Sequence, residues 1–264
     1  MNINSGSTEY ISIAFSGAIG ISLIAYKLRL LSFSGMIAAA FTGGAVFAFG
    51  GISASVLLLI FFLSGSSLGK MNQAKGERRN WKQVLCNGAI PALAVIIILF
   101  RHDLREEMSL LFLGALATAT ADTWATEIGM RFGKRIYNIV TFHPMTKGLS
   151  GGISLVGILA SAIGAFVIGA VSLIKFLDDD PLCGLVLVKV IPVITISGFC
   201  GALLDSIIGA TLQAKFRLPD GLVTEIRTES AIQYSGVTFI TNNATNLIAT
   251  LWGGIIAIWL GAVL

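Results

Sequence analysis

An all-α, polytopic transmembrane helical bundle of about eight spans is the fold the sequence predicts, on three observations. Apolar residues make up 55% of the 264 and charged residues only 12%, with a mean hydropathy of +0.85, which leaves a water-soluble domain too little polar surface. The apolar stretches run for roughly 17 to 25 residues, the length that crosses a bilayer as helix. They lack the two-residue alternation of an outer-membrane strand, so helices are implied and not a barrel. The 30 glycines, many beside Ala or Ser, suit close helix approach in lipid.

Spans are predicted near 8–27, 33–50, 52–69, 84–100, 108–129, 149–175, 184–212 and 237–263, within one integral membrane domain over 1–264. Only Gly50-Gly51 separates the second from the third, so these two form a tight hairpin or one is re-entrant, and the total is then eight or seven. The first span has no convincing cleavage site and runs directly into more membrane sequence, which reads as an anchor and not a removed signal peptide.

Charge orients the chain. The connections after spans one, three, five and seven hold fourteen of the eighteen Lys and Arg, from Lys27 and Arg29 to Lys215, Arg217 and Arg227. The alternate connections carry acids, Asp103, Glu106 and Glu107 in one and Asp178, Asp179 and Asp180 in another. The positive-inside rule puts the basic loops in the cytoplasm and both termini outside. A pI near 9.1 then reflects inner loops, and no folded nucleic-acid module is visible. Cys86, Cys183 and Cys200 are odd in number and lie in or beside apolar segments, so disulfides are not expected.

Against this background the intramembrane polar residues stand out, because an ionisable group in a bilayer costs several kcal/mol unless it faces a partner or a wet cavity. Asp122, Glu127 and Asp205 lie near the cytoplasmic ends of spans five and seven, Asn87 near the start of span four, and Asn242, Asn243 and Asn246 at the start of span eight. They gather at one depth beside the basic loops, where a transporter would hold its site near the midplane. Thr118, Asp122 and Thr126 share a helix face. Glu127, five residues beyond Asp122, is turned about 140° away from it, and a break near Gly129 or a salt bridge from Glu127 to Arg131 are both open. Carboxylate oxygens suit Mg²⁺, which commonly takes one or two of them plus substrate phosphate.

Between spans five and six, Arg131, Lys134 and Lys147 precede a glycine-rich turn, Gly148-Leu149-Ser150-Gly151-Gly152, at the start of a span. Exposed N–H groups and a helix N-terminus there would make a phosphate site; fixing topology and starting a helix are the plainer roles. Asn242 and Asn246 suit ribose, phosphate, metal water or a structural polar seam, and Asn87 suits interhelical bonding as well as a ligand. Asp205, flanked by Gly201 and Gly209, either serves the chemistry or bonds an Asn of span eight. Arg78 and Arg79 suit phosphate, anionic lipid or topology control.

Four motifs carry a resemblance over nearly the whole chain: Ala-Asp-Thr-Trp-Ala-Thr-Glu-Ile-Gly at 121–129, Gly-Leu-Ser-Gly-Gly-Ile-Ser at 148–154, Leu-Leu-Asp-Ser-Ile-Ile-Gly-Ala-Thr-Leu-Gln at 203–213 and Gln-Val-Leu-Cys-Asn-Gly at 83–88. They resemble the integral membrane family of transmembrane protein nineteen and the plant phytyl-phosphate kinase. More distantly, an Asp-containing helix end followed by the turn Phe132-Gly133-Lys134 resembles the CTP-using dolichol kinase and phosphatidate cytidylyltransferase. The resemblance implies a kinase that uses CTP to convert an isoprenoid monophosphate to its diphosphate; with the carboxylate oxygens and the loop charges, the expectation is Mg²⁺, or Mn²⁺, at the cytoplasmic face of a prokaryotic plasma membrane. Asp122, Glu127 and Asp205 match the motif acids as catalytic and metal-binding residues, and Gly148, Gly151 and Gly152 match the glycine turn. Leu149-Ser150 stands where relatives carry a Thr-Asn pair, and a basic residue at the place of Lys147 is optional among them. Lipid cytidylyl transfer, polyprenol phosphorylation, and transport or lipid flipping are the rival activities. The expected partners are an isoprenoid lipid phosphate, a nucleoside triphosphate and membrane lipids, with no nucleic acid; a homo-oligomer is left open.

Overall fold

Residues 8–72, 78–173 and 187–263 are described by the computed structural model. Seven helices carry the architecture: α1 (Thr8–Lys27), α2 (Phe33–Asn72), α3 (Trp81–Phe100), α4 (Arg105–Phe132), α5 (Leu155–Val171), α6 (Leu187–Thr211) and α7 (Asn242–Val263). Five of them, α1, α2, α3, α6 and α7, are long and apolar enough to cross a membrane; α5 is apolar but shorter. Acidic residues Asp178–180 and Cys183 lie outside the described residues, and Cys86 and Cys200 are free thiols.

The 40-residue α2 is a hairpin. Gly51 breaks it with φ 77° and ψ −169°, a conformation that side chains on a Cβ disfavour. Gly35 on the first arm abuts the backbone of Arg79 and Gly65 on the second abuts its guanidinium, whereas a straight helix would part these glycines by roughly 45 Å. The Gly50-Gly51 separation therefore reverses the chain, and the predicted eight helical segments are present.

Helix α4 forms the axis of the bundle, packing on α2, α3, α5, α6 and α7, with every residue from Ser109 to Ala121 buried. Neighbouring helices shield it from lipid, so it tolerates a less apolar sequence than theirs. Its hydroxyls are spent locally: Thr118 donates to the Gly114 carbonyl at 2.9 Å and Thr120 to that of Leu116 at 2.8 Å. Around its own Phe112 and Leu116, residues Leu57, Val95, Ile168 and Ile194 close the core. Helices α6 and α7 come within contact of Thr118 because Gly201 and Gly253 face it without side chains.

The basic connections lie together at one end of the bundle. There Leu31 bridges Arg79, and Asn80 and Gln83 close a reciprocal capping box that starts α3. Two small sheets complete this end. Strands β1 (Tyr137–Asn138) and β2 (Gly152–Ile153) pair antiparallel, and β3 (Lys215–Arg217) lies between β4 (Val223–Thr224) and β5 (Ile232–Ser235).

These sheets correct the predicted span limits. Because Gly152–Ile153 pairs as a strand, α5 begins at Leu155 and not at 149, with Ser154 capping it through a 3.1 Å bond from the Gly157 N–H. Similarly α7 begins at Asn242 and not at 237. Helix α4 does not break near Gly129 but continues to Phe132 and stops at Gly133.

Candidate functional site

At the basic end, a cavity of about 700 Å³ opens between the C-terminal turns of α2, α4 and α6, the starts of α3 and α7, and the loop before α5. Asp122 on α4 and Asp205 on α6 face each other across it, their carboxyls within hydrogen-bonding reach. The close approach of α6 to α4 one turn earlier, at Thr118 and Gly201, sets that separation.

Asp205 is only 7% exposed. Asn246, with its amide nitrogen turned inward, donates to Asp205 Oδ1 at 3.1 Å and to the Asn242 carbonyl at 2.9 Å, the one orientation that pairs donors with acceptors. The bond from α7 considered for Asp205 is thus present, and it orients one carboxylate of the pair without neutralising it. Among the described residues the one ion pair is Arg101–Asp103, far from this cavity and exposed to water.

Glu127 lines the same cavity but does not join the aspartates. Its Oε2 and its backbone carbonyl each accept from Asn72 Nδ2 at 2.7 Å, which ties α4 to the end of α2. The salt bridge to Arg131 left open by the sequence does not form; Arg131 donates to the Met71 carbonyl at 2.7 Å and lies over the Phe132 ring. No group of three His, Cys, Asp or Glu side chains is placed to hold a metal among the described residues. The three acids proposed as metal ligands therefore separate into a facing pair and an outlying Glu127, as their helical spacing requires.

The glycine turn also reaches the cavity. Gly148 and Gly151 have φ of +92° and +86°, and a Cβ on Gly151 would sit 2.5 Å from Ala210 Cα of α6. The turn at 148–151 is not contiguous with the α5 N-terminus, because β2 and the Ser154 cap intervene. An anion already fills the turn. Glu225 accepts from the Ser150 N–H at 2.5 Å, from Ser150 Oγ at 2.9 Å and from Gln213 Nε2 at 2.7 Å. Lys215 Nζ holds the Ser150 carbonyl at 3.0 Å. Burial lowers the pKa of Lys215 from its ordinary value, and the Glu225 charge works against that shift.

Asn87, Lys147, Asn242 and Asn246 line the cavity, with Lys147 Nζ 3.5 Å from the Gly133 carbonyl. Arg131 and Lys134 are not in its wall; both side chains are exposed beyond it. Four contributors escaped the sequence-based site. Glu225, Gln213 and Lys215 sit in or beside a polar connection where no periodicity marks an inward residue. Arg79 was indistinguishable from a topology-fixing arginine, yet it borders the cavity while neighbouring Arg78 lies over Tyr26. Burial lowers the pKa of Arg79, opposed by the charge of Glu127.

Fold and site together define an integral membrane helical bundle with an acid-lined cavity open at its basic end. The chain belongs to the family described as integral membrane protein DUF92, whose model matches residues 16–254. It is 32% identical to Protein PGR of Arabidopsis thaliana over 87% of this chain and 90% of that one. It is 30% identical to an uncharacterized membrane protein of Methanocaldococcus jannaschii over 90% of this chain and 89% of that one. Protein VTE6, chloroplastic, of Arabidopsis thaliana is 24% identical over 86% of this chain and 64% of its own length. No solved structure matches the chain.

Proposed function

We propose that this protein is a membrane phosphotransferase that moves the terminal phosphoryl group of CTP to an isoprenoid monophosphate, giving the diphosphate. The observation that carries the reading is the facing pair Asp122 and Asp205, free of ion pairs among the described residues, in a cavity that also receives the glycine turn and Arg79. The motif resemblance at 121–129 and 203–213 and the similarity to VTE6 support the same chemistry. By the charge distribution of the loops, the cavity faces the cytoplasm.

Two adjacent carboxylates without an ion-pair partner among the described residues suit a divalent ion, and their hard oxygens fit Mg²⁺ or Mn²⁺. Asp122 and Asp205 would hold it, Asn246 fixing the orientation of Asp205; when bound, the ion neutralises phosphate oxygens. The chain's own residues supply positioning. A non-bridging oxygen of the acceptor phosphate attacks the terminal phosphorus of the nucleotide. The bond from that phosphorus to its bridging oxygen breaks, and CDP leaves with the electron pair. Because the attacking oxygen is already ionised, no strong general base is needed, and alignment with charge neutralisation lowers the barrier.

The test is purified protein with Mg²⁺, each of the four nucleoside triphosphates and a panel of prenyl monophosphates. Prenyl diphosphate with stoichiometric CDP is the expected product. Pyrophosphate release would assign cytidylyl transfer instead, and absence of turnover with every donor would end the phosphotransferase reading.

A further inference from the structure

A second cavity, of about 110 Å³, lies between α1, both arms of α2 and the start of α3. Its wall is apolar, with Ile21, Phe47, Leu58, Leu59 and Phe62 prominent in it. Arg79 and Gln83 line both this groove and the acid-lined cavity, so the two spaces meet at those side chains. The hairpin at Gly51 creates the groove by folding the second arm of α2 back beside the first.

Arg79 is built into that junction. Its N–H donates to the Leu30 carbonyl and its own carbonyl accepts from the Ser32 N–H, each at 3.0 Å, while Gly35 leaves room for its backbone. The guanidinium lies 5.9 Å from the Phe61 ring centroid, beside Gly65, and makes no salt bridge to any described residue. The charge of Glu127 offsets part of its burial, but among the described residues no anion is in salt-bridge contact with it; a cation so withdrawn from water is costly, and a guanidinium fork matches phosphate bidentately.

We propose that the groove takes the isoprenoid chain of a single-chain lipid monophosphate, and that Arg79 grips its phosphate where the groove meets the cavity holding Asp122 and Asp205. The proposal rests on the phosphotransferase reading for the isoprenoid nature of the chain and the fate of its phosphate; the apolar groove and Arg79 carry the binding of a single-chain lipid phosphate. One end of the ligand is matched by apolar wall and the other by a guanidinium with no salt bridge among the described residues, which a bilayer phospholipid with two chains fits less well than a linear prenyl phosphate.

The experiment uses the full chain in phosphatidylcholine nanodiscs and geranylgeranyl monophosphate carrying a terminal diazirine. Crosslinks are expected on groove residues such as Ile21, Phe47 and Leu59, competed by unlabelled prenyl monophosphate but not by phosphatidylglycerol. Crosslinks confined to α5 or α7, or equal competition by phosphatidylglycerol, overturn the proposal. Arg79→Met should weaken prenyl monophosphate binding at least tenfold and leave prenyl alcohol binding unchanged. Ala39→Phe, inside the groove, should weaken geranylgeranyl but not dimethylallyl monophosphate; equal loss of both counts against a chain site. Should either variant fail to fold, the wild-type crosslinks and the wild-type preference for monophosphate over alcohol decide. Groove crosslinks without nucleotide turnover leave the lipid site standing and remove the kinase, whereas turnover with crosslinks elsewhere does the reverse.

Discussion

Asp122→Asn separates the stability of the acid pair from its use. The amide keeps the size of the side chain and adds a donor toward Asp205, with which Asp122 is in hydrogen-bonding reach. Two ionised carboxylates at roughly 4 Å repel by at most about 4 kcal/mol at an effective dielectric near 20. Removing one charge relieves whatever part of that repulsion the cation-free protein carries, so the variant should melt at the same temperature as wild type or higher. Activity should move the other way. Losing one preorganised electrostatic contact typically costs about 10²–10³ in rate, or roughly 3–4 kcal/mol of transition-state stabilisation. Melting curves in detergent with and without Mg²⁺, beside CDP release, test both halves. Saturating Mg²⁺ at about 100 Kd adds roughly 2.7 kcal/mol to a protein that binds it only when folded, so wild type should gain thermal stability and the variant should gain much less. Equal stabilisation of both proteins by Mg²⁺, or variant turnover within tenfold of wild type, refutes the assignment of Asp122.

Three further outcomes follow from the geometry. Gly151→Ala places a Cβ on a residue with φ +86° and against Ala210 of α6, and should cost about 2 kcal/mol or more, read as a lowered melting temperature. Glu225→Gln removes the negative charge from the Ser150 turn while keeping one oxygen to accept its N–H; a modest loss of stability, about 1–2 kcal/mol, should accompany several-fold tighter CTP binding, and unchanged CTP affinity would show that phosphate does not use this turn. Gly253→Val drives a side chain into Thr118 and should prevent close docking of α7 on α4, whereas Thr118→Val loses only a bond to its own helix and should melt within about 1 kcal/mol of wild type, both checked by thermal unfolding.

The spans were readable because lipid imposes length and apolarity on every helix that faces it, and Gly50-Gly51 was readable as a reversal because nothing else separated two spans. Asp122 and Asp205 announced themselves by the cost of an acid among apolar residues. Glu225 gave no such signal: it sits in a connection where acids are ordinary, and only the fold of β3 and β4 beside α6 carries it to the Ser150 turn. Arg79 was hidden for the opposite reason, since basic residues are expected at this end and only the hairpin shows which of two adjacent arginines turns inward. The start of α5 was misjudged because Gly152–Ile153 is apolar enough to continue a span, while its strand pairing with Tyr137–Asn138 depends on residues far outside any local window.

The distribution of polar groups along α4 bears on chemistry against transport. From Ser109 to Ala121 the helix is wholly buried, and the hydroxyls of Ser109, Thr118 and Thr120 each close back on a carbonyl of their own helix. Between Ser109 and Ala121 this axial helix has no polar side chain left to hand a charged solute onward. Asp122 follows directly after that sealed stretch, at the floor of a cavity whose other walls belong to the basic end. A solute carrier needs partners on both sides of its site; an interfacial enzyme needs water on one side and a route for lipid from the other. The groove between α1, α2 and α3 meets the acid cavity beside Arg79, so a phosphate can be approached from the membrane by its apolar tail and from the aqueous end by a nucleotide. That convergence makes phosphoryl transfer at the membrane surface the reading that employs both cavities at once.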